Sequence, residues 1–271
     1  MTNSAQTVAP RQDDPPYRPG EPVALFIPCY IDQFYPQIAQ ATVQLLKRYG
    51  VPAVYPAAQT CCGQPAFNAG DRVAAVALAK KTIAEFERGE GREDYEGYDY
   101  IVALSGSCAA HIKHHYPGLL AENAAWCTRA RAMAAKTFEL TDFLVKVLKV
   151  DSVPGKFDGS ITYHDSCTGL RSLGIKEQPR LLLSLVPGLS LKEMPSSEEC
   201  CGFGGAFSVK FGDISAAIAE RKCVNALRVD ADAVVGGDLG CLLNIEGKLR
   251  RMGDEKTRVL HIAEILAGEP P

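Results

Sequence analysis

No apolar run of this sequence reaches the roughly 18 residues that a membrane-spanning helix needs, and no span is expected. Residues 1–22 hold five prolines and lack the apolar stretch of about 7 to 15 residues that marks a secretory leader. They read as a disordered tail, and the expected location is cytoplasmic. Surplus positive charge is missing too: Lys+Arg 29 against Asp+Glu 32 leaves a net charge of -3. Nothing in that balance can neutralise a phosphate backbone, so nucleic acid is not an expected partner. Also absent are the C-x₂-C-x₂-C-x₃-C-P run of bacterial ferredoxins, a Walker A loop, H-E-x-x-H and G-x-G-x-x-G, whose spacing the CGFGG of residues 201–205 fails. No nicotinamide, flavin or nucleotide site is readable, and an electron path through this chain needs partner proteins.

The composition that remains is globular, 46% hydrophobic and 23% charged over 271 residues, with ten cysteines as its one exception. In a reducing cytosol clustered thiols hold metal or do redox chemistry rather than pair as disulfides. Apolar, β-branched runs at 23–29 (VALFIPC), 100–106 (YIVALSG), 160–167 (SITYHDSC) and 231–241 (ADAVVGGDLGC) each lead into a turn of small residues or cysteine. These read as buried parallel strands. Segments of helical period lie between and after them at 34–49, 71–88, 124–150 and 213–228. Strand then helix, repeated, gives the α/β class. The acidic run 85–99 reads as a solvated helix end and loop.

The cysteines repeat. Cys29, Cys61-Cys62-Gly63 and Cys108 are followed by Cys167, Cys200-Cys201-Gly202 and Cys241, at offsets of 138, 139, 139 and 133 residues. That is the signature of an internal duplication. Turn residues at 150–159 mark the junction, so the expected organisation is a tail at 1–22, a first α/β domain at 23–150 and a second at 151–271, each a small parallel sheet flanked by helices. Glycine after the paired cysteines permits a turn with positive φ that points both thiols toward one centre. Zinc sites favour cysteines two to four residues apart that reach one ion at about 2.3 Å. Adjacent cysteines suit separate irons of a polynuclear cluster better.

With these residues in view, Cys29…Cys61-Cys62-Gly63…Cys108 and Cys167…Cys200-Cys201-Gly202…Cys241 resemble the two copies of the cysteine-rich CCG domain. Heterodisulfide reductase carries that domain in one of its subunits, as do the iron–sulfur subunits of glycolate oxidase and anaerobic glycerol-3-phosphate dehydrogenase. The resemblance runs over residues 23–267 and is strongest to the lactate-utilization A family, to whose segments SGSCAAHIKHHYP, YHDSCTGLRSLGI, ECCGFGGAFSVKFGDIS and GGDLGCLLNIEGKL are similar. It implies electron transfer in the oxidation of L-lactate to pyruvate together with two partner proteins, one of them ferredoxin-like. In the fuller CCG pattern the last cysteine belongs to a Cys-x-x-Cys pair, and here its earlier position holds Ser105 or Asp238. That departure speaks against the five-thiolate noncubane cluster of heterodisulfide reductase. Four thiols per half match the ligand count of a 4Fe–4S cluster, the expected cofactor, with zinc as the alternative. A zinc-stabilised assembly subunit and a heterodisulfide or thiol reductase module remain open as other functions.

Smaller candidates stand beside the cysteines. His164, three residues before Cys167, can hydrogen-bond or ligate a cluster, and Asp165 can order a turn. Ser105 and Asp238 are either oxygen ligands or caps of the helices they precede. His111, His114 and His115 follow Cys108 at helical spacing as a pocket lining or a polar face, and Arg171 can offer a cation near the second set. Cys127 and Cys223 fall outside the repeat and are expected to be buried as small hydrophobes.

Overall fold

The computed structural model describes residues 17–87 and 97–268. Its first half runs β1 (Val23–Phe26), α1 (Cys29–Phe34), α2 (Pro36–Arg48), β2 (Ala53–Val54), α3 (Gln64–Ala69) and α4 (Arg72–Glu87). It continues through β3 (Ile101–Ala103), α5 (Gly106–Ala110), α6 (Tyr116–Leu119), α7 (Ala124–Lys136), β4 (Thr137–Glu139) and α8 (Leu140–Asp142). The second half repeats the pattern: β5 (Gly159–His164), α9 (Cys167–Leu173), α10 (Glu177–Ser184), β6 (Leu189–Leu191), α11 (Ala206–Lys210) and α12 (Gly212–Leu227). β7 (Ala233–Gly236), α13 (Leu239–Arg251), β8 (Arg258–His261) and α14 (Ile262–Ala267) complete it. Two four-stranded, all-parallel sheets result, ordered β2-β1-β3-β4 and β6-β5-β7-β8. The α/β class and the paired parallel sheets follow the sequence reading.

Packing explains the strand pattern. Side chains alternate across a sheet, and both faces are covered here, so β1 and β7 are buried at every position. Val23 and Leu25 of β1 point into a core shared by the two halves, whereas Ala24 and Phe26 point to a core on the other face. Helix α2 begins at Pro36, where a missing N–H costs nothing, and buries Ile38, Ala41, Thr42, Leu45 and Leu46 along one stripe. That stripe lies against α14, and its counterpart α10 packs on both α8 and α14. Helices that follow edge and central strands of one sheet thus cover those of the other. Among the described residues no helix is long and apolar enough to cross a membrane.

Two departures from the sequence reading have local causes. The segment 124–150, read as helical throughout, is cut by β4, which pairs with β3 through Ile101, Val102 and Ala103. Thr137, Phe138 and Glu139 are fully drawn into the core, and the Glu139 carboxylate caps the next turn by accepting from the N–H groups of Thr141 and Asp142 at 2.8 and 3.2 Å. Three residues carry too little periodicity to reveal a strand between two helices. Of the expected tail, residues 1–16 lie outside the described residues, as do 88–96 of the acidic run. Tyr17, placed in the tail by sequence, instead packs on Tyr100 and Phe143 with ring centroids 6.0 and 6.4 Å apart.

The shared core sets a direct expectation. Leu45→Ala, at a side chain with no exposure, should destabilise the protein by about 2 to 5 kcal/mol through lost burial and a residual cavity. Val43→Ala on the exposed side of the same helix should stay within about 0.5 kcal/mol. Urea denaturation of the two variants checks the difference.

Candidate metal centre

In open parallel sheets the strand C-termini carry function, and every cysteine of the repeat lies just beyond one. Cys29 opens α1 directly after β1, Cys61 and Cys62 follow β2, and Cys108 sits in α5 after β3. Cys167, Cys200, Cys201 and Cys241 hold the same places in the second half. All eight, with Ser105 and Asp238, line a single cavity of about 350 Å³ between the two halves.

The paired cysteines are presented by the same turn twice. Gly63 and Gly202 both have φ +87°, and a Cβ on Gly202 would meet the Ser215 carbonyl oxygen at 2.5 Å, so conformation and space both demand glycine. The glycine N–H turns back on the first thiol, Gly63 to Cys61 Sγ at 3.4 Å and Gly202 to Cys200 Sγ at 3.3 Å. The carbonyl of the second cysteine is fastened from outside. Tyr116 donates to the Cys62 oxygen at 2.7 Å, and Asn244 Nδ2 donates to the Cys201 oxygen at 2.8 Å.

Each half therefore carries a row of four thiols. Cys29 neighbours Cys61, Cys61 neighbours Cys62, and Cys62 Sγ lies 3.5 Å from Cys108 Sγ. The second row runs Cys167, Cys200, Cys201, Cys241 in the same order. Cys62, Cys108, Cys201 and Cys241 are buried, while the other four are half-exposed on the open side. Donation from the Cys29 and Cys62 thiols, helped by the Gly63 N–H, holds Cys61 far below the ordinary thiol range. Cys29 and Cys62 are correspondingly pushed up. Four thiols gathered in each half form a donor set suited to a metal cation.

Ser105 and Asp238 meet each other. Ser105 donates to Asp238 Oδ2 at 2.9 Å, and the Ser107 backbone N–H reaches the same oxygen at 3.0 Å. Neither side chain caps the helix it precedes, contrary to the capping expectation. Asp238 instead caps the first turn of α5 in the other half, because the interface brings that helix start closer to the carboxylate than its own.

His164 is buried, and the donor atoms of His164, Cys201 and Cys241 lie within 4.8 Å of one another. Burial first, and then the Lys222 ammonium, lower its pKa to about 3, which keeps the ring neutral. His111 is likewise buried, with its pKa lowered to about 4 by burial, while His114 and His115 are exposed. Asp165 does order a turn, accepting from Arg180 at 2.9 Å through each oxygen and from Ser197 Oγ at 2.8 Å. Arg171 is exposed. Cys127 and Cys223 are buried away from the cavity, directed at the carbonyls of Pro117 and Ile245. Sequence reading passed over Lys222, whose ammonium is fully buried and donates to Ser196 and Ser197 carbonyls at 2.9 and 3.0 Å. The available signal was its place on the Ala219–Ala226 stripe of α12. Tyr116 and Asn244 had no such signal, since only the folded chain brings them to the cysteine carbonyls.

Comparison with known proteins gives the family. The model of the cysteine-rich CCG domain matches residues 23–113 and 161–246. Lactate utilization protein A of Bacillus cytotoxicus is 45% identical over 244 residues, covering 90% of this chain and 98% of the relative. The protein of that name from Geobacillus kaustophilus is 46% identical over the same spans. Among solved structures, a hypothetical protein from Helicobacter pylori superposes with TM-score 0.56 at 13% identity, over 95% of this chain and 51% of that one, and so shares the fold. The chain belongs to the cysteine-rich CCG domain family and, within it, to the lactate utilization A proteins.

Proposed function

We propose that this chain is the iron–sulfur electron-transfer subunit of a complex that oxidises L-lactate to pyruvate. The observation that carries the reading is the doubled set of four cysteines, each with an adjacent Cys-Cys pair, lining one cavity in a chain of the cysteine-rich CCG domain family. Zinc sites favour cysteines two to four residues apart, a spacing that Cys61-Cys62 and Cys200-Cys201 do not have. Adjacent thiols suit separate irons of a polynuclear cluster, and four per half fit a 4Fe–4S cluster.

Cys29, Cys61, Cys62 and Cys108 would hold one group, and Cys167, Cys200, Cys201 and Cys241 the other. Such groups accept and release single electrons. The chain's own residues set the conditions: buried Cys62, Cys108, Cys201 and Cys241 form a dry inner wall, and half-exposed Cys29, Cys61, Cys167 and Cys200 face the side a partner can reach. The Gly63 and Gly202 N–H groups direct hydrogen bonds at sulfur, a means of tuning potential. Asp238 with Ser105 positions the two halves and is not a ligand. Lactate oxidation releases two electrons and two protons; the relatives' names supply the substrate, and two partner proteins, one ferredoxin-like, complete the path.

Anaerobically prepared protein should be brown and contain iron with acid-labile sulfide, whereas a colourless protein with stoichiometric zinc would overturn the reading. Cys61→Ser and Cys201→Ser should each lose the iron of their own half, while Cys127→Ser and Cys223→Ser keep it, as iron analysis of the four variants decides. Asp238→Ala strands the Ser107 N–H and should cost about 1 to 3 kcal/mol with iron content unchanged; loss of iron at unchanged stability would make Asp238 a ligand. Purified chain given L-lactate and an artificial acceptor should show no turnover. Rapid pyruvate formation would place the substrate site on this chain.

A further inference from the structure

The two halves repeat in topology but differ in what stands behind their thiols. Phe26 pairs with Ala103 at the end of β1, and His164 pairs with Gly236 at the end of β5, each three residues before the first cysteine of its row. The two positions are equivalent. Phe26 rests against Phe86, with ring centroids 5.8 Å apart. His164 is 1% exposed, and among the described residues neither ring nitrogen has a hydrogen-bond partner. An unsatisfied buried polar group is costly, and a native core rarely keeps one without something to meet it.

Its surroundings say what meets it. The clustered His164, Cys201 and Cys241 donors combine one imidazole with two thiols, a metal-binding set. His111, the other buried histidine without a partner, lies among the rings of Phe67, His115 and Tyr116 at 5.2 to 5.4 Å and belongs to no such cluster among the described residues. A second difference adds to the first. Counted from the starts of α4 and α12, Lys222 takes the place of Thr82, and its buried ammonium holds the loop that leads into Cys200 and Cys201.

We propose that a ring nitrogen of His164 takes the place of one of the four thiolates as a ligand of the metal group held by the second row of cysteines, so that the chain carries two unequal centres, one all-thiolate and one with an imidazole. The proposal rests on the iron–sulfur reading. A neutral imidazole in place of an anionic thiolate leaves the group less negative, and the buried Lys222 cation stands behind it, so both favour the reduced state and the second centre takes up an electron at the more positive potential.

The test uses the full chain, loaded anaerobically with ferrous iron and sulfide, grown with either ¹⁴N- or ¹⁵N-histidine and partly reduced for pulsed electron paramagnetic resonance. A histidine-nitrogen coupling is expected in the wild type and in His111→Phe, and should vanish in His164→Gln. Redox titration should give two midpoint potentials, the higher of which falls in His164→Gln. Iron-loaded protein without a histidine coupling overturns the ligand assignment and leaves the electron-transfer reading standing. So does a coupling lost in His111→Phe and kept in His164→Gln. Protein that takes up no iron overturns both. Should His164→Gln fail to fold by circular dichroism, the labelled wild type and His111→Phe decide, since His114 and His115 are exposed and the His261 ring already bonds the Leu104 carbonyl.

Discussion

Gly106 of α5 and Gly169 of α9 approach so closely that a Cβ on Gly106 would lie 3.1 Å from the Gly169 Cα, and this crossing joins the C-terminal ends of the two sheets. Parallel strands end together, so whatever follows β1, β2 and β3 gathers at one edge, and likewise for β5, β6 and β7. Pressing the edges against each other turns two shallow sets of thiols into one lined cavity. The same duplication places α1 against α13 on the other side of the interface. Asp238 then links the halves chemically, because its carboxylate satisfies the first turn of the opposite α5.

Duplication also frees one copy to diverge. The structural parts of the site, the Cys-Cys-Gly turn and its glycine N–H, are the same in both halves because backbone geometry leaves no alternative. Its electrostatic parts differ. The first row is backed by Phe26 and Thr82 and the second by His164 and Lys222, each fully or almost fully buried. Keeping a neutral imidazole and an ammonium in a protein interior is costly. Lys222 offsets that cost through two loop carbonyls, the loop itself being held by Asp165 and Arg180.

Much of the fold was legible because its signals are local. Strand runs such as VALFIPC end in small residues at the sheet edge, and α2 carries an apolar stripe of helical period. The short strands β2, β4, β6 and β8 were not legible. Two to four residues hold no period to measure, and β4 exists only because β3 offers it a hydrogen-bonding edge. Tyr17 was missed for a related reason, as a single aromatic in a proline-rich stretch gives no hint that Tyr100 and Phe143 leave it a place.

By itself the sequence determined the duplication, the α/β class and the identity of the eight cysteines that come together, because spacing and the Cys-Cys-Gly turn are properties of the chain. Tertiary structure decided that the two sets share one cavity, that Ser105 and Asp238 bond to each other rather than cap their own helices, and that His164 faces Cys201 and Cys241. These are contacts between residues far apart in the chain. Their distances depend on how two sheets dock, which no local period encodes.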